Sequence, residues 1–450
     1  MSAMSSPTRP ASAASRTLLV GLLLFGLFFG AGNLIFPVEL GRLAGGRTPA
    51  ATAGFLVTAV GLPILGVVAS AVSGCSSVRE MVSGVSRRYA VVFTAALYLT
   101  IGPLFAIPRT ATVSYEIGIA PLVGSQYRGV ALAVFTVVFF GLTLAAALRP
   151  GRLVDWVGRY LTPLFLVLLA VLVAACIVRP MRSGPAPAAQ PPYTGQAWAQ
   201  GLLDGYNTMD ALASLAFAIV IIDAVRRLGV TSPRAIASQT ARSGLIAAVC
   251  LGLVYVSLAW VGATSGTAVP DADNGGAVLA GVARHQYGRA GQLLIAAIVL
   301  VACLKTAIGL VVACAEMFAQ MVGHGSVRGW VVGFTLVSAV IANAGLAPII
   351  AWSLPVLMFL YPLAVTAIIL GLLSPVLGGR RLPQQLMTLF VALAALVDLV
   401  RALPVQPPGG HALVGTARHL LPGLDSGFGW VIPGLLGLGM GWVISVLRRR

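Results

Sequence analysis

From about residue 17 onward the chain alternates long apolar runs with short polar breaks that carry arginine, proline or glycine. Read against those breaks, the runs predict twelve spans, near residues 17 to 41, 50 to 73, 89 to 121, 129 to 148, 153 to 178, 198 to 225, 234 to 264, 290 to 321, 327 to 345, 348 to 374, 384 to 403 and 427 to 447. Most reach the roughly 20 apolar residues that a helix needs to cross a bilayer core. Bundled membrane helices are favoured over a barrel. The longest breaks, "RPMRSGPAPAAQPPYTGQ" and "SGTAVPDADNGGAV", are rich in turn formers and read as loops rather than domains.

Composition agrees: 58% of the residues are hydrophobic and 9% charged, so most of the surface faces lipid. A formal charge of +17 would suit nucleic acid, but the basic residues lie singly or in small groups between apolar runs, which excludes that partner. Placing both termini inside puts twice as many arginines on inner breaks as on outer ones, the bias expected of cytoplasmic segments. The first 16 residues form a polar tail, and the run after them is too long for a cleaved signal core, so it is read as a retained first helix. Five cysteines without ligand spacing read as packing residues.

Two spans contain helix-breaking sequence. The first holds "FFGAGNLIFP", with Gly30, Gly32 and Pro37 interrupting the run and the Asn33 amide at membrane depth; the sixth holds "GLLDGYNTMDALAS", with Asp204, Asn207, Thr208 and Asp210 around Gly205. Backbone groups released from a helix inside a membrane are tolerated only when buried in protein or lining a cavity. These breaks open two successive sets of five spans, the arrangement expected of an inverted-repeat transporter with a midplane site, although ordinary kinks would look similar.

Six segments together, "LFFGAGNLIFP", "GFLVTAVGLPILGV", "IGPLFAIPRTATVSYE", "GYNTMDALASLAFAIVI", "CLKTAIGL" and "IANAGLAPIIAWSLPVLMFLYP", resemble the branched-chain amino acid:cation symporters, the bacterial system II carriers. The resemblance runs from about residue 18 to 375 and weakens afterwards. It implies an all-α polytopic protein of the LeuT-type five-plus-five fold, with discontinuous helices 1 and 6 and two added helices. The parts would be a tail at 1–16, a first repeat at 17–178, an external loop at 179–197, an inverted second repeat at 198–374 and the last two spans within 375–450. The implied activity is uptake of leucine, isoleucine and valine across the bacterial inner membrane, driven by a cation gradient, usually sodium, with no cofactor.

On that resemblance Gly30, Ala31, Gly32 and Asn33 present backbone groups to the substrate, and Tyr206, Asn207, Thr208, Met209 and Asp210 supply carbonyls, a hydroxyl and a negative charge. Tyr98, beside the "GPLF" break, is a further contributor from span three. An intramembrane carboxylate such as Asp210 is by default a functional residue, or else a structural partner for Arg109 or a helix end. Arg109 and Glu116, seven residues apart, share a helix face and read as a buried ion-pair network or a gate.

Lys305 is the only lysine in the chain and stands near the middle of an apolar run. Insertion of a lysine at that depth costs about 2.5 to 3.5 kcal/mol. The family pattern here reads "CLTTAIGL", so a threonine has given way to Lys305 while Thr306 is kept. The resemblance implies that hydroxyls at this point hold sodium together with the carbonyls of Gly26 and Phe29, near Asn33 and Thr306. The Lys305 ammonium can then substitute for the ion, leaving sodium-independent exchange or coupling to H+. Alternatively it lines a wet path with sodium elsewhere, or marks a paralogue of reduced activity. Two other classes fare worse. An embedded enzyme needs acidic or histidine clusters, whereas His285, His324, His411 and His419 lie in breaks without a repeated spacing, and no filter motif suggests a channel.

Overall fold

The computed structural model describes residues 13–75, 77–149, 162–179, 181, 186–266, 269, 272, 274–323, 325–405 and 407–448. The described residues are helical with no strand. The first span divides into α1 (Ala13–Phe28) and α2 (Ala31–Ala44), and the second into α3 (Thr48–Leu56) and α4 (Leu62–Ser73) around a π-helical turn at Val57–Gly61. Next come α5 (Arg87–Leu99), α6 (Ala106–Gly118), α7 (Arg128–Ala147) and α8 (Thr162–Val178). The expected "GPLF" break separates α5 from α6: Gly102 has φ −98° and ψ −126°, and Pro103 follows. The amino-terminal part of span five and residues 1–12 of the expected tail lie outside the described residues.

The sixth span divides into α9 (Ala197–Tyr206) and α10 (Asp210–Arg227), bent by 44°. Then follow α11 (Pro233–Thr264), α12 (Gly275–Val322), α13 (Val327–Ala342), α14 (Leu346–Leu372), α15 (Arg381–Ala402), α16 (Gly410–Leu420) and α17 (Val431–Leu447). Seven helices among the described residues are long and apolar enough to cross a membrane, or eight with the bent pair as one span, and four shorter apolar helices accompany them. Valines and leucines such as Val137 and Leu253 are exposed on outward faces, as a lipid solvent permits.

One break that reads as a loop, and another between the last two spans, contain helix. The early part of α12 is nucleated by Asn274, whose side chain accepts from the N–H groups of Gly276 and Ala277. It is set off from the rest by Gly288, where φ of 57° and ψ of −133° suit a residue without a Cβ. The α16 helix likewise occupies the last outer break.

The helices α1 and α2 pack along α11, whereas α9 and α10 pack along α3 and α4, so spans one and six each lie against the span that follows the other. Glycine lets backbones touch at both places. A Cβ on Gly41 would stand 1.9 Å from the Ala259 carbonyl oxygen, one on Gly262 2.0 Å from that of Val38, and one on Gly201 1.9 Å from that of Ala51. Hydrogen bonds also tie distant breaks together: Arg16 Nη1 donates to Leu228 O at 3.1 Å, Gln385 Nε2 to Val85 O at 2.9 Å and Gln190 N to Leu43 O at 2.8 Å.

Candidate functional site

Both breaks fall in the interior of the bundle and face one another. At the first, Phe29 and Gly30 leave the helix, Gly30 is extended (φ −128°, ψ −161°), and α2 restarts at Ala31. Asn33 caps that restart: its Oδ1 accepts from Gly30 N–H at 3.0 Å, the reach-back of a residue three places into a helix. At the second, Asn207, Thr208 and Met209 separate α9 from α10, and Met209 adopts the left-handed conformation with φ of 63°. A side chain held there costs on the order of 1 to 2 kcal/mol, a strain that functional segments often retain.

A hydrogen-bonded triad joins the two breaks. Asn33 Nδ2 donates to Asp210 Oδ2 at 2.5 Å and to the Tyr255 hydroxyl, and Tyr255 donates to the same Asp210 oxygen at 3.1 Å. The Asp210 backbone N–H donates to Thr208 Oγ1 at 3.3 Å. All four residues are buried, so the carboxylate replaces water by donors from α2 and α11. Tyr255 lacks any local signal in the sequence beyond a hydroxyl in the middle of an apolar run, and reading the breaks alone missed it.

Asn33 and Asp210 of the triad border a cavity of about 30 Å³, room for a water or two. Gly30, Ala31, Gly32, Asn33, Thr208, Met209, Asp210 and Thr306 all border it. Its apolar wall comes from Leu27, Ile101, Ala106, Phe217 and Leu310. Tyr98, Tyr206 and Asn207 lie outside it. The Tyr98 hydroxyl donates to Ala216 O at 3.4 Å, Tyr206 stacks on Tyr361 at 4.1 Å between ring centroids, and Asn207 caps the end of α9. Span three reaches the cavity one turn further on, through Ile101, Ala106, Arg109 and Thr110.

Gly26 stands just behind the first break and Phe29 within it, both beside α12. Lys305 is 2% exposed; its Nζ donates to Gly26 O at 2.9 Å and lies 5.6 Å from the Phe165 ring centroid, within cation–π range. Next to it, Thr306 Oγ1 donates to Phe29 O at 3.3 Å and to Ala302 O at 3.0 Å. The structure thus brings the two side chains to the two carbonyls that the resemblance names. Lys305 makes no ion pair among the described residues.

The ion-pair network expected in span three is absent among the described residues. Arg109 is 3% exposed and pairs with neither Glu116 nor Asp210; its guanidinium carbon instead lies 5.3 Å from the Phe36 ring centroid, within cation–π range. Two helical turns separate Arg109 from Glu116, a distance that side chains on one helix bridge only at three or four residues' spacing. No cluster of three metal-ligating side chains occurs among the described residues.

Comparison with known proteins gives this geometry a lineage. The family described as Branched-chain amino acid transport protein matches residues 13–448. The chain is 42% identical over 421 residues to the branched-chain amino acid permease BrnQ of Lactobacillus delbrueckii subsp. lactis, covering 93% of this chain and 94% of that one. It is 40% identical over 433 residues to the permease BraB of Bacillus subtilis, covering 96% and 95%. It is 43% identical over 420 residues to the branched-chain amino acid transport system 3 carrier protein of Pseudomonas aeruginosa, covering 92% and 93%. In fold it matches Mhp1, a nucleobase-cation-symport-1 family transporter solved in a closed conformation with bromovinylhydantoin bound, at a TM-score of 0.63 and 14% identity over 99% of this chain and 96% of that one. That likeness establishes the LeuT-type fold and nothing about the ligand. The chain belongs to the branched-chain amino acid transport protein family, whose members are multi-pass membrane transporters and not enzymes.

Proposed function

We propose that this protein carries leucine, isoleucine and valine across the bacterial inner membrane by alternating access, and that the Lys305 ammonium takes the place of a coupling sodium ion. The twelve spans form two inverted sets of five at 17–178 and 198–374, followed by two more, with both termini cytoplasmic. The reciprocal packing of spans one and six on the spans that follow each other supports the repeat. The substrate sits between the two breaks, its aliphatic chain toward Ile101, Phe217 and Leu310. Each methylene buried there stabilises it by about 0.8 kcal/mol. The cavity must widen to admit it, which the unwound segments allow without losing helix.

The observation that carries the ion-substitute reading is the 2.9 Å contact of Lys305 Nζ with Gly26 O, beside Thr306 Oγ1 on Phe29 O. A fixed ammonium there supplies one positive charge and donors to oxygens that would otherwise surround an ion. Transport is then independent of sodium, or coupled to a proton if Lys305 releases one during the cycle. The test is leucine uptake into proteoliposomes under imposed sodium or proton gradients, for the native chain and for Lys305→Thr. Sodium dependence appearing only in the variant supports the reading. Strong sodium stimulation of the native protein refutes the substitution, and absence of any leucine uptake refutes the transport assignment.

A further inference from the structure

Arg109 is a buried cation for which the triad and the lysine site have no use. It lies in the first turn of α6, and its Nε and Nη1 have no hydrogen-bond partner. Leaving donors of a charged group unsatisfied in the interior is costly, so a protein that retains such a group normally offers it a partner at some stage. Its position says which kind. The guanidinium borders the same cavity as Asn33 and Asp210, and a Cβ on Gly32 would stand 3.1 Å from Nη2. Arg109 therefore leans on the first turn of α2, where backbone N–H groups lack intrahelical partners and the helix dipole favours an anion. Asp210, held by Asn33 and Tyr255, borders the same cavity. The chamber thus carries charge of both signs, a cation beside a helix start and a carboxylate bonded to Asn33.

We propose that Arg109 is the carboxylate-recognising residue of the substrate site, its guanidinium clamping the amino acid's α-carboxylate against the first turn of α2 while Asp210 faces the ammonium. This rests on the transport reading above and sharpens it. A planar guanidinium matches a carboxylate with two parallel N–H donors, a geometry that an ammonium does not reproduce. A zwitterion also leaves the cavity's net charge unchanged while pairing each of its charged walls. Molecules with the same branched side chain but no carboxylate would leave Arg109 unpartnered and be rejected, even though the apolar wall accepts them.

The test compares binding of leucine and leucinamide to the purified full-length chain in detergent, for the native protein and for Arg109→Met, with thermal unfolding of both. The native chain is expected to bind leucine at least about 10- to 100-fold more tightly than leucinamide, the range of a lost charged hydrogen bond. Arg109→Met is expected to lose that preference, its leucine affinity falling by a similar factor while its leucinamide affinity changes less than about threefold. Native protein that binds both ligands equally overturns the assignment without recourse to any variant, so a variant that fails to fold does not shield it. A folded Arg109→Met that keeps the native preference for leucine overturns it too. Native protein that binds no branched-chain amino acid at all instead overturns the transport reading on which the proposal stands.

Discussion

Tyr255→Phe is the most informative single change to the triad, because it deletes one oxygen and leaves the ring. That ring sits edge-on to Phe55 at 5.3 Å and stacks beside Phe29 at 6.3 Å between centroids, contacts a phenylalanine retains. The lost hydroxyl donates to Asp210 Oδ2 at 3.1 Å and accepts from Asn33 Nδ2. A hydrogen bond to a charged group contributes about 1.5 to 3 kcal/mol, a range that already includes the cost of a stranded partner such as the Asn33 donor. Asp210 keeps its 2.5 Å bond from Asn33, which limits the loss. About 2 to 3 kcal/mol therefore falls on the bridge between the two breaks, equivalent to roughly 30- to 150-fold in a binding constant. Leucine binding to purified protein should weaken by that factor, with thermal stability lowered in parallel. Asn33→Ala, alone and combined with Tyr255→Phe, completes a double-mutant cycle whose coupling should reach at least about 0.5 kcal/mol. A Tyr255→Phe protein whose leucine affinity and melting temperature both stay within error of the native values would refute the bridge.

Three further outcomes follow from the geometry. Lys305→Thr should gain stability in sodium chloride over choline chloride, by about 2.7 kcal/mol when sodium exceeds its Kd roughly a hundredfold; thermal unfolding measures this, and an equal gain in the native protein would contradict it. Gly201→Leu should fail to accumulate as folded protein in membranes, since its Cβ would lie 1.9 Å from Ala51 O, whereas Gly129→Ala, with nothing within 4 Å, should be neutral or slightly stabilising by fluorescence-detected gel filtration. Competition for leucine uptake should rank isoleucine and valine within about 1 to 3 kcal/mol of leucine, because an apolar wall distinguishes a single methylene by no more than that; rejection of valine by a much larger factor would count against an apolar pocket.

The apolar runs and the two helix breaks were legible because each rests on local chemistry, hydrophobic length in one case and glycine in the other, although Pro37 and Gly32 lie within α2 and the second break falls just past Gly205, at Asn207–Met209. The neighbours of Lys305 and Thr306 were legible only through the family resemblance, since nothing local connects them to Gly26 and Phe29. Side-chain facing was not legible. Tyr98 and Tyr206 stand beside the breaks in sequence yet turn away from the cavity, because a helix advances about 100° per residue and neighbours in the chain point to different partners. Tyr255 illustrates the converse, an aromatic in an uninterrupted run whose role depends on a carboxylate 45 residues away. The helices at the start of α12 and in α16 were hidden by glycines and prolines nearby, which mark their ends and not the lack of helix.

Where Gly41 meets Ala259 and Gly201 meets Ala51, main chain touches main chain with no side chain between to repack. Spans one and six are thereby each tied to the span that follows the other through joints that tolerate no added atom.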